Sequence, residues 1–444
     1  MGSITRRTLV RGVPTVAALA SLTAPGAARA ARGIMGAAGS AAAGDETYWA
    51  TIQAQYDINR AVVPLENGNW GVMSRPVQQA YAENLQRVNF DNTFYARRSY
   101  GADLSAVGER LAGVLGVSPD EIAFTRNATE ALQALIGGYN RLSPGDAVLY
   151  ADLDYDAMQT AMRWLAERRG VEVVRIALPE PAGHDSLIEA YAAALDANPR
   201  IRMMLLTHLS HRTGLVLPVA EIVDMARSRG VDAIVDAAHA WGQMDYALPS
   251  LGADFVGLNL HKWMGAPLGV GALYIRRDRL PHIDPFMGEE SPSPGSASAR
   301  VHTGTANFAA FLTVPAALDF QAGVGAGRKA ARLAYLRSLW VEPLRGHPGI
   351  EILTPSDPSL SAGITAFRLA GQTGPEQNRA AAEQLLQRFG IYTVHRVGAA
   401  SGACVRVTPA LFNTFEDMIR LRDALRIMAD ERAGIAGSVK GQDR

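Results

Sequence analysis

The sequence is poor in the features that would assign it quickly. One cysteine, Cys404, in 444 residues leaves no pair for an internal disulfide and no multi-cysteine metal site. Basic and acidic residues number 43 each, so no charge excess points to a nucleic-acid surface or an anionic-membrane patch. The nine histidines never take the spacing of a helical metalloprotease pair, and no metal is expected. A strict glycine-rich phosphate loop is missing, which argues against a Walker-type nucleotide site. No internal repeat occurs. Beyond the N-terminus, no stretch has the length and apolarity of a membrane-spanning helix, so no stable membrane span is expected.

What is present begins with Thr5-Arg6-Arg7-Thr8-Leu9-Val10, a short apolar run, and the small-x-small site Ala28-Arg29-Ala30. Residues 1–30 look like a twin-arginine export signal, a pathway that carries folded proteins, and imply a periplasmic or secreted location. An Ala/Gly-rich linker follows at 31–45. The remaining length suits a large core and two units. A segment at 46–75, expected to pack with the smaller domain, leads to a large α/β domain over 76–320. A smaller α+β domain spans 321–430, and a tail runs from 431 to 444.

Within the large domain, strand-like and helix-like periods trade places: strands near 121–125, 147–151, 171–175, 202–207, 233–236 and 255–258, with helical patterns between most of them. That alternation argues for a mostly parallel sheet flanked by helices and joined by right-handed crossovers. Ligands of such sheets bind outside the carboxyl ends of the strands. The loops there carry Thr129, Tyr155, His211, Asp236, His239, His261 and Lys262. Asn127 and Glu130 have the spacing of a capping pair, and the helix start they mark suits a phosphate.

The stretch at 235–271, VDAAHAWGQMDYALPSLGADFVGLNLHKWMGAPLGVG, brings the chemistry together. One apolar strand ends in Asp236. After a helix-length connector, the next delivers Asn259, His261 and Lys262. A lysine able to form an imine, with a carboxylate to hold a protonated pyridine nitrogen, is what pyridoxal phosphate needs.

The pattern D-A-A-H-A…G-A-D-F…H-K-W…P-L-G-V-G resembles the class V aminotransferase family of fold-type I pyridoxal-phosphate enzymes, nearest its isopenicillin-N epimerase-like branch. The resemblance extends from about residue 65 to 428. It implies that Lys262 forms the imine and shuttles the α-proton, that Asp236 pairs with the pyridine nitrogen, and that His239 stands near the phenolic oxygen. His211 falls where relatives often carry an asparagine for that job. Ala128 and Thr129 match the phosphate turn, with Asn259 and His261 adding donors, and Tyr155 matches the ring that stacks on the cofactor. Gly304-Thr305 resembles a segment reaching the phosphate of a neighbouring subunit, which implies a homodimer. Arg406 matches the arginine that grips the substrate α-carboxylate, and Asn69 lies near the same side of the pocket. Arg97, Arg98 and His395 are candidates for a second-carboxylate or side-chain contact, although ordinary surface charge accounts for each.

The implied activity is on the α-amino group of an amino acid, or of an amino-acid residue in a larger peptide metabolite. Transamination is the first expectation, with epimerisation or lyase chemistry next. A non-catalytic pyridoxal-phosphate-binding protein would have no need of Asp236, Lys262 and Arg406 together. The region at 391–402 lacks the nucleophilic cysteine of the desulfurases. Cys404, inside an apolar strand, reads as an inert buried thiol.

Overall fold

The strands of the large unit are apolar on both faces because helices cover both sides. The computed structural model describes residues 42–290 and 295–434. The export signal at 1–30, most of the 31–45 linker, and 435–444 of the tail lie outside the described residues. After α1 (Glu46–Gln53) come β1 (Val63–Pro64), α2 (Arg75–Arg98) and α3 (Tyr100–Leu115). The large unit continues with β2 (Ile122–Thr125), α4 (Ala128–Gly138), β3 (Ala147–Ala151), α5 (Asp156–Arg169), β4 (Glu172–Ile176) and α6 (His184–Ala197). Next are β5 (Ile201–Thr207), α7 (Val219–Ser228), β6 (Asp232–Asp236), β7 (Phe255–Asn259) and β8 (Gly271–Ile275).

These strands form a seven-stranded sheet in the order β2-β8-β7-β6-β5-β3-β4. Only β8 runs against the rest, pairing antiparallel with both β2 and β7. Strands β3, β6, β7 and β8 are buried almost throughout, as a sheet covered on both faces requires. Edge strand β4, EVVRI, is half-exposed and carries charges that discourage further pairing.

Three features of the structure go beyond the sequence reading. The antiparallel β8 was not foreseen, because residues 272–275 follow a Gly/Pro-rich loop and are too short to show a period. The helix-length connector between β6 and β7 holds a 3-10 turn at Leu248–Leu251, where Pro249 sits. Residues 308–320 carry the sequence pattern of one apolar helix, but the stretch forms two, α8 (Phe308–Leu312) and α9 (Val314–Val324). Thr313 separates them, its hydroxyl bonding back to the Ala309 carbonyl, and Pro315 follows without an N–H to give.

Helix α10 (Ala326–Val341) leads into the C-terminal unit: β9 (Ile350–Ile352), β10 (Thr365–Leu369), α11 (Pro375–Phe389), β11 (Ile391–Tyr392), β12 (Val394–Arg396), β13 (Cys404–Val407) and α12 (Phe415–Ala433). Its antiparallel sheet has the order β12-β13-β10-β9. A separate apolar core, including Trp340, Phe367, Leu385, Val405, Met418 and Leu425, fills the space between this sheet and its helices. Val63 and Leu65, from the segment ahead of the large sheet, belong to that same core, and β1 pairs in parallel with β11. Among the described residues no single helix is long and apolar enough to cross a membrane.

Trp340 is fully buried and meets Phe367 edge-on at 6.2 Å between ring centroids. Trp340→Ala should cost about 3–5 kcal/mol, the usual loss for emptying a large aromatic site. A clearly lower urea midpoint is expected; an unchanged midpoint would contradict this packing.

Candidate active site

Because β2, β3, β5, β6 and β7 run the same way, their carboxyl ends share one edge of the sheet. The loops leaving that edge line a cleft of about 480 Å³. Lys262, Asp236, His239, His211, Tyr155, Asn259, His261, Ala128, Thr129 and Asn69 all open onto it. Arg406 and Thr305 do not.

Lys262 follows β7 by three residues. Its Nζ lies 3.1 Å from His239 Nε2. On the far side of the imidazole, the Trp263 indole N–H donates to Nδ1 at 3.4 Å. An Nδ1 that accepts leaves the neutral ring's proton on Nε2, aimed at Lys262, which then accepts it as a neutral amine. The electrostatics bring that neutral form within reach just above neutral pH. Burial pushes the Lys262 amine down to about 8, with Asp236 working the other way and the Arg406 guanidinium adding to the fall. His239 is held well below the ordinary histidine value, first by burial and then by the charge of Lys262.

Asp236 is the last residue of β6. Burial raises its carboxyl, while the Ala238 N–H, donating to Oδ1 at 2.9 Å, and the Lys262 charge pull it back. Acid and amine thus face one cavity and each favours the other's charged form.

At the opposite end, Asn127 caps α4 by accepting from the Glu130 N–H at 2.8 Å. The expected return half of the capping pair is not made. Glu130 instead accepts from the Arg126 backbone N–H and guanidinium. Asn259 Oδ1 takes the Ala128 N–H at 2.9 Å. Among the described residues, no protein acceptor meets the Thr129 N–H. A free amide at the positive end of a helix is the donor set that a phosphate fits. His261 is turned by its Nδ1 contact to the Val270 carbonyl at 2.9 Å.

Tyr155 precedes α5 and stands edge-on to His211, with 5.2 Å between ring centroids. Burial and the neighbouring Arg212 and Arg406 charges keep the His211 imidazole well below its usual value. Asn69 sits at the exposed mouth of the cleft. Thr305 is exposed and away from the cleft of its own chain.

Arg406, on β13, is fully buried. Its Nη2 donates to both Glu66 oxygens, at 2.6 and 2.7 Å, and its Nη1 to the His211 carbonyl at 2.7 Å. Sequence reasoning missed Glu66, although it is the one charged residue in VVPLENGNW. It also missed Trp263 as the partner of His239, and Asp154 beneath the cleft. Asp154 accepts from the Thr207 hydroxyl and backbone and from the Ala151 N–H, and burial pushes it up to about 7. Cys404 is buried, its thiol pushed up to about 12 by desolvation, and it does not line the cleft.

Comparison with known proteins follows the same lines. Residues 78–421 match the family described as aminotransferase class-V. The isopenicillin N epimerase of Amycolatopsis lactamdurans is 33% identical over 398 residues, covering 86% of this chain and 98% of that protein. The isopenicillin N epimerase of Streptomyces clavuligerus is 30% identical over 404 residues, covering 86% and 99%. Among solved structures, a C-DES variant with glycine covalently linked to its PLP cofactor superposes with a TM-score of 0.72. It is 24% identical and the match covers 85% of this chain and 99% of that one. The relatives named are epimerases, so they do not carry the sequence-based preference for transamination. An amine, a carboxylate and a helix start around one cavity, matched along most of the chain, make this protein a member of the class V aminotransferase family of pyridoxal-phosphate enzymes.

Proposed function

We propose that the chain acts at the α-carbon of an amino acid, or of an amino-acid residue in a larger metabolite, and inverts that carbon. The observation that carries this reading is the Lys262–His239 contact of 3.1 Å beside Asp236, in a cleft with no thiol. Likeness to two epimerases adds support. Transamination stays as a second reading, favoured by the family match, since it needs the same proton carrier.

The residues present fit the cofactor. Lys262 would hold it through its aldehyde carbon, Asp236 would pair with the pyridine nitrogen, and the start of α4 would take the phosphate. When bound, pyridoxal phosphate supplies an electron sink for negative charge left at the substrate's α-carbon. The chain supplies the proton handling. A buried amine drawn down to about 8 is a base usable near neutral pH, where an ordinary lysine is not. His239 keeps that amine in place with its Nε2–H and, being neutral, adds no charge to oppose it. Tyr155 and Asn69 border the entrance through which substrate must come.

Thr305, exposed in its own chain, would complete the cleft of a second copy. Phe90, Phe94 and Trp70 offer exposed apolar surface for such a contact, at 89%, 74% and 62% exposure. Sedimentation should return twice the chain mass; a monomer at micromolar concentration would refute the dimer.

Purified protein should show a visible cofactor band that Lys262→Ala abolishes. With a substrate found by screening amino acids in D2O, inversion together with deuterium at the α-carbon, and no need for an amino acceptor, is expected. Strict dependence on a keto-acid acceptor would instead select transamination. The charge state of Lys262 gives a further test. Only the neutral amine attacks an aldehyde, and Lys262 is neutral above about 8. The rate at which apoprotein takes up cofactor should therefore rise with pH through about 8, measured by the growth of the visible band. A midpoint near the usual lysine value of about 10.4 would show that burial does not depress this amine.

A further inference from the structure

The loop that carries Lys262 is held one carbonyl at a time, and each carbonyl from residue 261 to 264 takes a different donor. His261 receives the Gly71 N–H at 2.9 Å, and Lys262 the Gly265 N–H at 3.2 Å. Those donors are backbone groups. The next two are side chains. The Trp263 carbonyl accepts from the Lys329 amine at 3.0 Å, and the Met264 carbonyl from the Gln321 amide at 3.2 Å. Gln321, on α9, offers its amide oxygen to the same Lys329 amine at 2.5 Å. Two side chains from the corner between α9 and α10 thus clamp the two peptide groups that follow the lysine.

Lys329 is a demanding choice for that task. It lies in the first turn of α10 and is 4% exposed. Among the described residues no carboxylate pairs with it, and Arg332, further along α10, takes Glu46 instead. Burial alone draws the amine down to about 7. An amine kept from water without an acid is costly, and a neutral donor would serve a plain loop tie. Lys329 does not open onto the main cleft. It borders a separate cavity of about 40 Å³, together with Lys262, Trp263 and Gln321.

From Lys329 to the reactive amine there are three contacts. The first fixes the Trp263 carbonyl. The second is the Trp263 indole N–H on His239 Nδ1 at 3.4 Å, and the third is His239 Nε2 at 3.1 Å from Lys262 Nζ. The indole contact is at the long limit of hydrogen bonding, so a small displacement of the Trp263 peptide breaks it. With it would go the group that keeps the imidazole proton on Nε2, facing Lys262.

We infer that Lys329 is a positioning residue for Lys262: it holds the Trp263 peptide where the indole can set the His239 ring. This rests on the reading that Lys262 captures pyridoxal phosphate. An N–H given to the neutral amine favours that form. Losing it favours the ammonium, so Lys262 needs a higher pH before it can attack an aldehyde. The charges felt by Lys262 come from Asp236, Arg406, Glu66 and Arg396, and burial keeps the His211 and His261 imidazoles low; substitution at Lys329 alters none of these.

The test mixes the full chain, stripped of cofactor, with pyridoxal phosphate over a range of pH, and fits the growth rate of the visible band to a midpoint. Lys329→Met, similar in length and without a donor, should raise that midpoint by about one pH unit, the size of one hydrogen bond to the neutral amine, and slow capture near neutral pH about tenfold. Trp263→Phe, which keeps a ring but loses the N–H, should raise it equally. The two changes together should add nothing, because they break one path. An unmoved capture midpoint in Lys329→Met, accompanied only by a lower urea midpoint, would make this lysine a structural tie and overturn the assignment. Shifts that sum in the double variant would overturn it too. Should Lys329→Met not fold, Gln321→Met replaces it, removing the second acceptor of Lys329 and the tie on Met264; a smaller rise is expected, and none would again defeat the relay. Wild type that takes up no cofactor would defeat the underlying reading, whereas a wild-type midpoint of about 8 with unmoved variants would defeat this inference alone.

Discussion

Everything in the cleft depends on keeping a primary amine out of water without giving it a full counter-ion. Lys262 keeps only part of its surface open, toward the cleft, and desolvation outweighs the attraction of Asp236. A direct salt bridge would return the amine to its ordinary range and make it a poor nucleophile. Instead its nearest polar contact is a neutral imidazole at 3.1 Å. That imidazole is set by Trp263, the residue next to the lysine. The carbonyl of Trp263 is in turn tied by the buried amine of Lys329 at 3.0 Å. The reactive amine, the ring that steadies it and the loop that carries both are thus fixed from behind by groups that never enter the cleft.

The second constraint is the way two units are stitched together. Residues 63–71 first add to the C-terminal core through Val63 and Leu65, then cross to the lysine loop, where the Gly71 N–H donates to the His261 carbonyl at 2.9 Å. The backbone at residue 71 passes so near that a β-carbon would lie 1.8 Å from the Lys262 carbonyl oxygen. Only glycine fits. One short segment therefore sets the height of the C-terminal sheet, and with it Arg396 and Arg406, relative to the lysine. A shift in that segment would change the distance between the group that makes the bond and the groups that orient the substrate.

Much of this could be read from residues alone, for an identifiable reason. A parallel sheet places each loop at one edge, so Asp236 and Lys262 could be brought together from strand order without knowing a single distance. Asn127 as a cap and Cys404 as a buried thiol followed from local chemistry in the same way. What escaped was long-range. Glu66 and Arg406 are 340 residues apart, and nothing in either neighbourhood announces the other. His395 drew attention for its type, whereas the contacts belong to Arg396 beside it, because the twofold alternation of β12 decides which neighbour turns toward Glu66. The direction of β8 was equally hidden. An isolated ALYI has no feature that distinguishes parallel from antiparallel pairing.

The buried arginines also bear on how binding and chemistry are coupled. Arg406 and Arg396 both depress the proton affinity of Lys262, while Glu66 supports it. A carboxylate brought against either guanidinium would cancel part of that positive field. The sign then follows: with less positive charge nearby, the ammonium form of Lys262 is favoured and its amine becomes the stronger base. An unliganded site benefits from a weak base, because the neutral amine is the form that captures the cofactor. A site holding substrate benefits from a stronger one, because a proton must then leave carbon. A single ion pair between a bound carboxylate and this arginine cluster would thus move the lysine from the first condition toward the second.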